Sequence, residues 1–210
     1  MKIKSLVFLI LSTLLWGCAS SLVLETDIDV PQPLMQPLPL NTAIHYPESI
    51  REHIYIENTE DRSNWSITTG PSHIELFDQV LQSLFASTTF VDNVSEVGVD
   101  YDMLITPSIK DIQFALPSET GFSLYEVWID YELAVEQPNG GQITTLNFTG
   151  YGSSPQSFFT RESKGLLTAA NAAFRELGAQ TIVNFIKDKD IQKWLAAKSS
   201  APQESKNEAM

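Results

Sequence analysis

Residue types that do chemistry are thinly spread along this chain. Of its three imidazoles, His45 and His53 have no cysteine or carboxylate at ligand spacing, so they read as ordinary edge or core histidines rather than metal ligands. His73 follows Ser72 at an expected helix start. Free backbone N–H groups there can hold an anion, but capping the helix is the simpler role. Glu126, Asp130 and Glu132 fall on alternate positions and could be taken for an acid/base set. No His, Cys or Lys neighbour in sequence sets their proton affinities apart, and alternating acids are what a half-exposed strand requires. The run Thr149-Gly150-Tyr151-Gly152 lacks a helix start at phosphate-loop distance and reads as a bulge or strand end. A nucleophile elbow, a phosphate-binding glycine loop, an H-E-x-x-H pair and a C-x-x-C pair are all missing. The sequence therefore predicts no catalytic residue, no metal site and no cofactor.

The single cysteine, Cys18, has a different context. Lys2 and Lys4 precede an apolar run from Leu6 to Trp16, interrupted only by Ser12 and Thr13, and Gly17-Cys18-Ala19-Ser20 follows. Eleven helical residues rise only about 16 Å, roughly half the hydrocarbon thickness, which suits a secretory signal better than a membrane span. Leu15-Trp16-Gly17-Cys18 resembles the processing site of a bacterial lipoprotein signal, Trp16 being larger than that pattern usually holds. The resemblance implies cleavage before Cys18 and acylation of its sulfur and amine, which anchors stably where a single chain would not. Ala19 and Ser20, with no aspartate beside the cysteine, look like outer-membrane sorting on the periplasmic side. An ordinary cleaved signal, or an uncleaved anchor with an incidental thiol, is the alternative.

The formal charge is −13, from 13 basic and 26 acidic residues. Loss of Lys2 and Lys4 with the signal would make it 11 minus 26, or −15. Such a body is repelled by nucleic acid and by bare anionic membrane. With 43% hydrophobic residues in 210 positions, one domain with its own core is expected. The expected division is a signal over 1–17, a lipidated cysteine and Pro-rich tether over 18–39, a domain over 40–198 and a loose tail over 199–210. Prolines at 31, 33, 37 and 39 make the tether stiff, or a polyproline ligand for an aromatic groove.

The domain reads as α+β. Short strands are expected around 41–47 and 53–57. A helix from about Pro71 carries Ile74, Phe77, Leu81, Leu84 and Phe85 on one stripe. Strands follow in TTFVD, YDMLITPSI and KDIQFALP. The clearest alternation lies over 124–137, where Tyr125, Val127, Ile129, Tyr131, Leu133 and Val135 line one face. Asn139-Gly140-Gly141 turns the chain into a hairpin partner, ITTLNFTGYG. A helix over 162–187 and a short one bearing Trp194 close the domain. The fold class predicted is α+β, an antiparallel or mixed sheet with the amphipathic helix and the long C-terminal helix packed on one face. Two aromatic features stand out as contact candidates: Trp128, on the polar face of its strand, and adjacent Phe158 and Phe159 in a Ser/Pro loop. Trp128 needs a cover, supplied by the last helix, a loop or a partner, and the phenylalanines either plug into the domain or protrude.

In its lipid-type start, tether, size and order of elements, the chain looks like small envelope lipoproteins: auxiliary subunits of lipid or solvent ABC transporters, curli-type secretion lipoproteins and activators of penicillin-binding proteins. That likeness is one of architecture. It implies a non-enzymatic accessory or scaffold, tethered to the membrane by Cys18, whose partner is an envelope complex or further copies of itself. A carrier of an apolar ligand is the second expectation and an envelope hydrolase the third.

Overall fold

A computed structural model describes residues 20–23, 28, 30–57, 65–157 and 161–200. Cys18, Phe158 and Phe159 lie outside the described residues. The strands are β1 (Ser20–Val23), β2 (Leu38–Ile44), β3 (Ile54–Glu57), β4 (Trp65–Thr68), β5 (Phe85–Phe90), β6 (Met103–Ala115), β7 (Leu124–Glu136) and β8 (Gln142–Pro155). The helices are α1 (Glu48–Arg51), α2 (Gly70–Leu84), α3 (Pro117–Thr120), α4 (Glu162–Lys187) and α5 (Lys189–Ser200). A mixed sheet runs β5-β2-β6-β7-β8, and a small one runs β1-β4-β3. This is the expected α+β class with its long C-terminal helix. Strands β6, β7 and β8 form an antiparallel meander, whereas β5 and β6 flank β2 in parallel. A parallel neighbour cannot be reached by a tight turn. The chain accordingly crosses from β2 to β5 through α1, the small sheet and α2.

Period-2 patterning fixes β7. Its buried residues alternate without a break, Tyr125 to Val135 facing the core and Glu126 to Glu136 half-exposed. The turn after it has Gly140 at φ +84, a conformation glycine enters without the Cβ clash. The two strand-like pieces on either side of Lys110 are one strand, β6, with a register shift between Ile109 and Asp111.

Helix α2 differs from its expected form at both ends. It starts at Gly70, preceded by Thr69, with no side-chain capping bond. Phe85 leaves the helical stripe, because its backbone is already extended (φ −120, ψ 147) and opens β5. Its ring remains in the core, edge-on to Phe185 at 5.2 Å. Leu76, Phe77, Val80, Leu81 and Leu84 bury the helix, and Ile74 is only half-buried.

The pair Gly150 and Gly152 is neither a bulge nor a strand end. Both lie inside β8, on the face that receives α4. A Cβ at Gly150 would stand 2.6 Å from the Ala173 carbonyl oxygen, and one at Gly152 would overlap the Ala169 carbonyl and lie 2.9 Å from the Ala172 Cβ. Backbone therefore packs on backbone, through Ala169, Ala170 and Ala173, all fully buried. Close approach of this kind maximises dispersion contact along the helix.

The stretch read as a tether is partly structural. Ile28 and Val30 are buried in the main core, and β1 pairs with β4 in parallel. A Cβ at Gly178 would lie 2.5 Å from a Val30 methyl, so this glycine of α4 is where the segment crosses the helix. Burying two β-branched side chains contributes roughly 3 kcal/mol, enough to dock a segment that local patterning marks as extended. Residues 31–37, by contrast, are largely exposed.

Candidate functional site

The helices cover one face of the main sheet. Among the described residues the other is half-exposed over most of β6, β7 and β8, with a small core of Ala43, Val91, Val97 and Leu104 at one end. Trp128 lies on this half-exposed face, between Gln113 of β6 and Tyr151 of β8. Its cover is Tyr151, whose ring centroid is 5.3 Å away. Tyr151 is held from two sides: its hydroxyl donates to Glu126 Oε1 (2.6 Å), and its backbone N–H donates to Glu176 Oε2 of α4 (3.0 Å). The hydrogen bond to Glu126 raises the phenol pKa, as an acceptor carboxylate must. Lys110 pairs with Glu132 at 2.9 Å. Glu126 and Glu132 are thus spoken for by neighbours on a solvated face, in keeping with a half-exposed strand rather than a tuned acid/base pair.

The histidines form a chain that sequence spacing does not reveal. His73 is not a cap; its side chain is fully buried and bonds the Tyr131 hydroxyl through Nδ1 and Thr69 Oγ1 through Nε2 (3.0 Å). The same Thr69 oxygen meets His53 Nδ1 at 2.6 Å. Proton counting orients the chain. Buried Tyr131 donates to His73 Nδ1, so His73 carries its hydrogen on Nε2 and donates to Thr69, whose single hydroxyl hydrogen has His53 Nδ1 and the His53 carbonyl at 3.5 Å as its two acceptors. Burial lowers the His73 pKa to about 3, with help from neighbouring His53, and lowers that of His53 as well. Both rings are neutral at pH 7, and the Tyr131 pKa is raised by its own burial. His53 reaches a cleft of about 440 Å³ lined also by Ile54, Ile56, Lys110 and Ile112. Only the Thr69 to His73 spacing of four, one helical turn, is a sequence signal for any of this. His45 accepts no such role: its Nδ1 meets the Val91 carbonyl at 3.2 Å, which requires it to donate there.

A larger cleft, about 710 Å³, opens between the loop after β5, the β7–β8 turn and α5. Val97, Tyr101, Pro138 and Trp194 give it an apolar wall. Lys198 closes one side, bonded to Asp102 at 2.6 Å and lying 5.4 Å above the Trp194 ring. Among the described residues no group of three or more His, Cys, Asp or Glu could hold a metal ion, and no helix is long and apolar enough to cross a membrane.

No family model and no curated protein matches the chain. Solved structures do. A Xanthomonas campestris protein of the family DUF330 superposes with a TM-score of 0.53 at 9% identity, over 86% of this chain and 98% of that one. A minor lipoprotein from Acinetobacter baumannii gives 0.44 at 10% identity, over 70% and 91%. At such identity the Xanthomonas match establishes a shared fold: this chain has the α+β architecture of that protein across nearly its whole length.

Proposed function

We propose that the chain is a lipoprotein of the outer membrane, facing the periplasm and anchored by acyl chains on Cys18, whose folded body is a non-enzymatic accessory or scaffold of an envelope assembly, secretion or transport machine. The observation that carries this reading is the half-exposed sheet face with Trp128 and Tyr151 at its centre. Two aromatic rings fixed by a cross-strand contact and by Glu126 and Glu176 present apolar area already ordered, so a partner gains their burial without the entropic cost of immobilising them. Phe158 and Phe159 are kept as contact candidates on their sequence alone. The lipoprotein-type start supplies the address, and the acidic body keeps the domain off an anionic surface.

A photo-crosslinking residue in place of Trp128, activated in intact cells, tests the reading. It should capture one defined envelope protein, and mass analysis should find Cys18 acylated. Capture of nothing, together with substrate turnover by the purified monomer, would reject it. A second reading, an apolar-ligand carrier, is favoured by the cleft under Trp194 and Tyr101. Native mass spectrometry of protein from its own cells would then show a retained lipid or wall fragment.

A further inference from the structure

Among the described residues strand β5 is an edge of the main sheet and pairs only with β2. The Val91 N–H donates to the Ile44 carbonyl at 2.9 Å, and this fixes which backbone groups face which way. Residues alternate along a strand, so Ser87 and Thr89 turn their peptide groups toward β2. Ala86, Thr88 and Phe90 turn theirs outward. Edges of this kind are usually guarded by lysine, proline, a bulge or a covering helix. The strand Phe-Ala-Ser-Thr-Thr-Phe has no charge and no proline. Ala86, Ser87, Thr89 and Phe90 are exposed, Phe90 at 47% although it stacks on Tyr46 at 5.7 Å.

The opposite edge, β8, is different. There α4 lies directly over the strand, and Glu176 occupies the outward Tyr151 N–H. A second helix-bearing copy could not approach it.

We infer that β5 pairs with β5 of a second copy of this chain, antiparallel about a two-fold axis at Thr88, joining the two main sheets into one. The order of residues is self-complementary about that point. Thr88 meets Thr88, and Ala86 meets Phe90 in both directions, so each exposed ring lies over a methyl group and threonines pair at the centre. The outward groups of these three residues complete an antiparallel ladder. The order of residues chooses the occupant: a second copy presents the same strand reversed, and the uncharged strand adds no like charge at the seam, although each body carries net charge −13. The interface is isologous and closes as a dimer. It stands apart from the Trp128 face, so either proposal can fail without the other.

Cysteine crosslinking of the full chain in intact cells tests it. In a hydrogen-bonded antiparallel pair the Cα atoms lie about 5.5 Å apart, within disulfide range. Thr88→Cys should therefore oxidise to a species of twice the chain mass, with a 88-to-88 linked peptide. Val94→Cys, on a more exposed residue beyond the strand, and the parent chain with Cys18 alone should not. Thr88→Pro removes an N–H that β2 does not use. It should leave the far-ultraviolet spectrum intact and halve the mass of the detergent-purified protein in sedimentation, correcting for bound detergent. A Thr88→Cys chain that stays monomeric, or one that links to a different protein, overturns the proposal; so does a Thr88→Pro chain that folds and remains dimeric.

Discussion

Acidification should unfold this protein through His73. The ring is fully buried between Tyr131, Phe174 and Thr69, and the cost of charging it there takes its pKa from 6.5 to about 3. A depressed histidine pKa means that the unfolded chain binds the proton first. Stability is therefore complete above pH 6.5 and is lost as pH falls from 6.5 toward 3. At about 1.4 kcal/mol per tenfold change in proton affinity, the whole loss is roughly 5 kcal/mol, of which roughly 2 kcal/mol has gone by pH 5. Carboxylates also titrate in this range, so the effect is isolated by difference. Urea unfolding of the parent and of His73→Phe should be followed at pH 8 and pH 5. The variant leaves the Tyr131 hydroxyl without its acceptor and should be less stable by about 1–3 kcal/mol at pH 8. Its loss on going to pH 5 should nonetheless be smaller than the parent's by about 2 kcal/mol. Equal losses in the two proteins would refute the reasoning, because the buried neutral ring would then carry no linkage.

Three further outcomes follow from packing. Gly152→Ala forces a methyl into the Ala169 carbonyl and should destabilise by about 1–3 kcal/mol, whereas Gly98→Ala, with no atom within 4 Å, should change the urea midpoint by less than about 0.5 kcal/mol. Val30→Ala should cost about 1–2 kcal/mol by the same assay, because Val30 is 3% exposed against α4; an unchanged midpoint would show that the segment does not dock. Trp128→Ala removes a half-exposed cross-strand pair worth about 0.5–1 kcal/mol and should abolish the envelope crosslinks of a probe placed at Tyr151 while hardly altering stability.

Local patterning carried much of the fold. The alternation of β7 named all six of its core residues, because a strand with one wet face must repeat every two residues. The Asn139-Gly140-Gly141 turn then placed β8 beside it, because only residues tolerant of positive φ reverse a strand so tightly. Pro71 located α2 within a residue of its start at Gly70. What defeated pattern was everything that depends on a distant neighbour. Phe85 fits a helical face and is buried either way, so periodicity could not tell that the helix had ended. The strand β4 is four residues long and takes its place from β1 and β3, and Val30 sits among prolines that signal a spacer.

The same division holds for the site. Cys18 and its flanking apolar run resemble a lipoprotein signal through a short linear segment, and they lie outside the described residues. Trp128 could be singled out as an aromatic on a polar face, but Tyr151, twenty-three positions away, acquires its role only through the β7–β8 register. Tertiary structure alone joins His53, Thr69, His73 and Tyr131, which come from three separate stretches of chain, and it alone puts β5 at the edge of the described sheet while α4 overhangs β8. Hydrophobic periodicity states which face of an element is buried; which edges stay open and which polar groups meet is decided by how the buried faces stack.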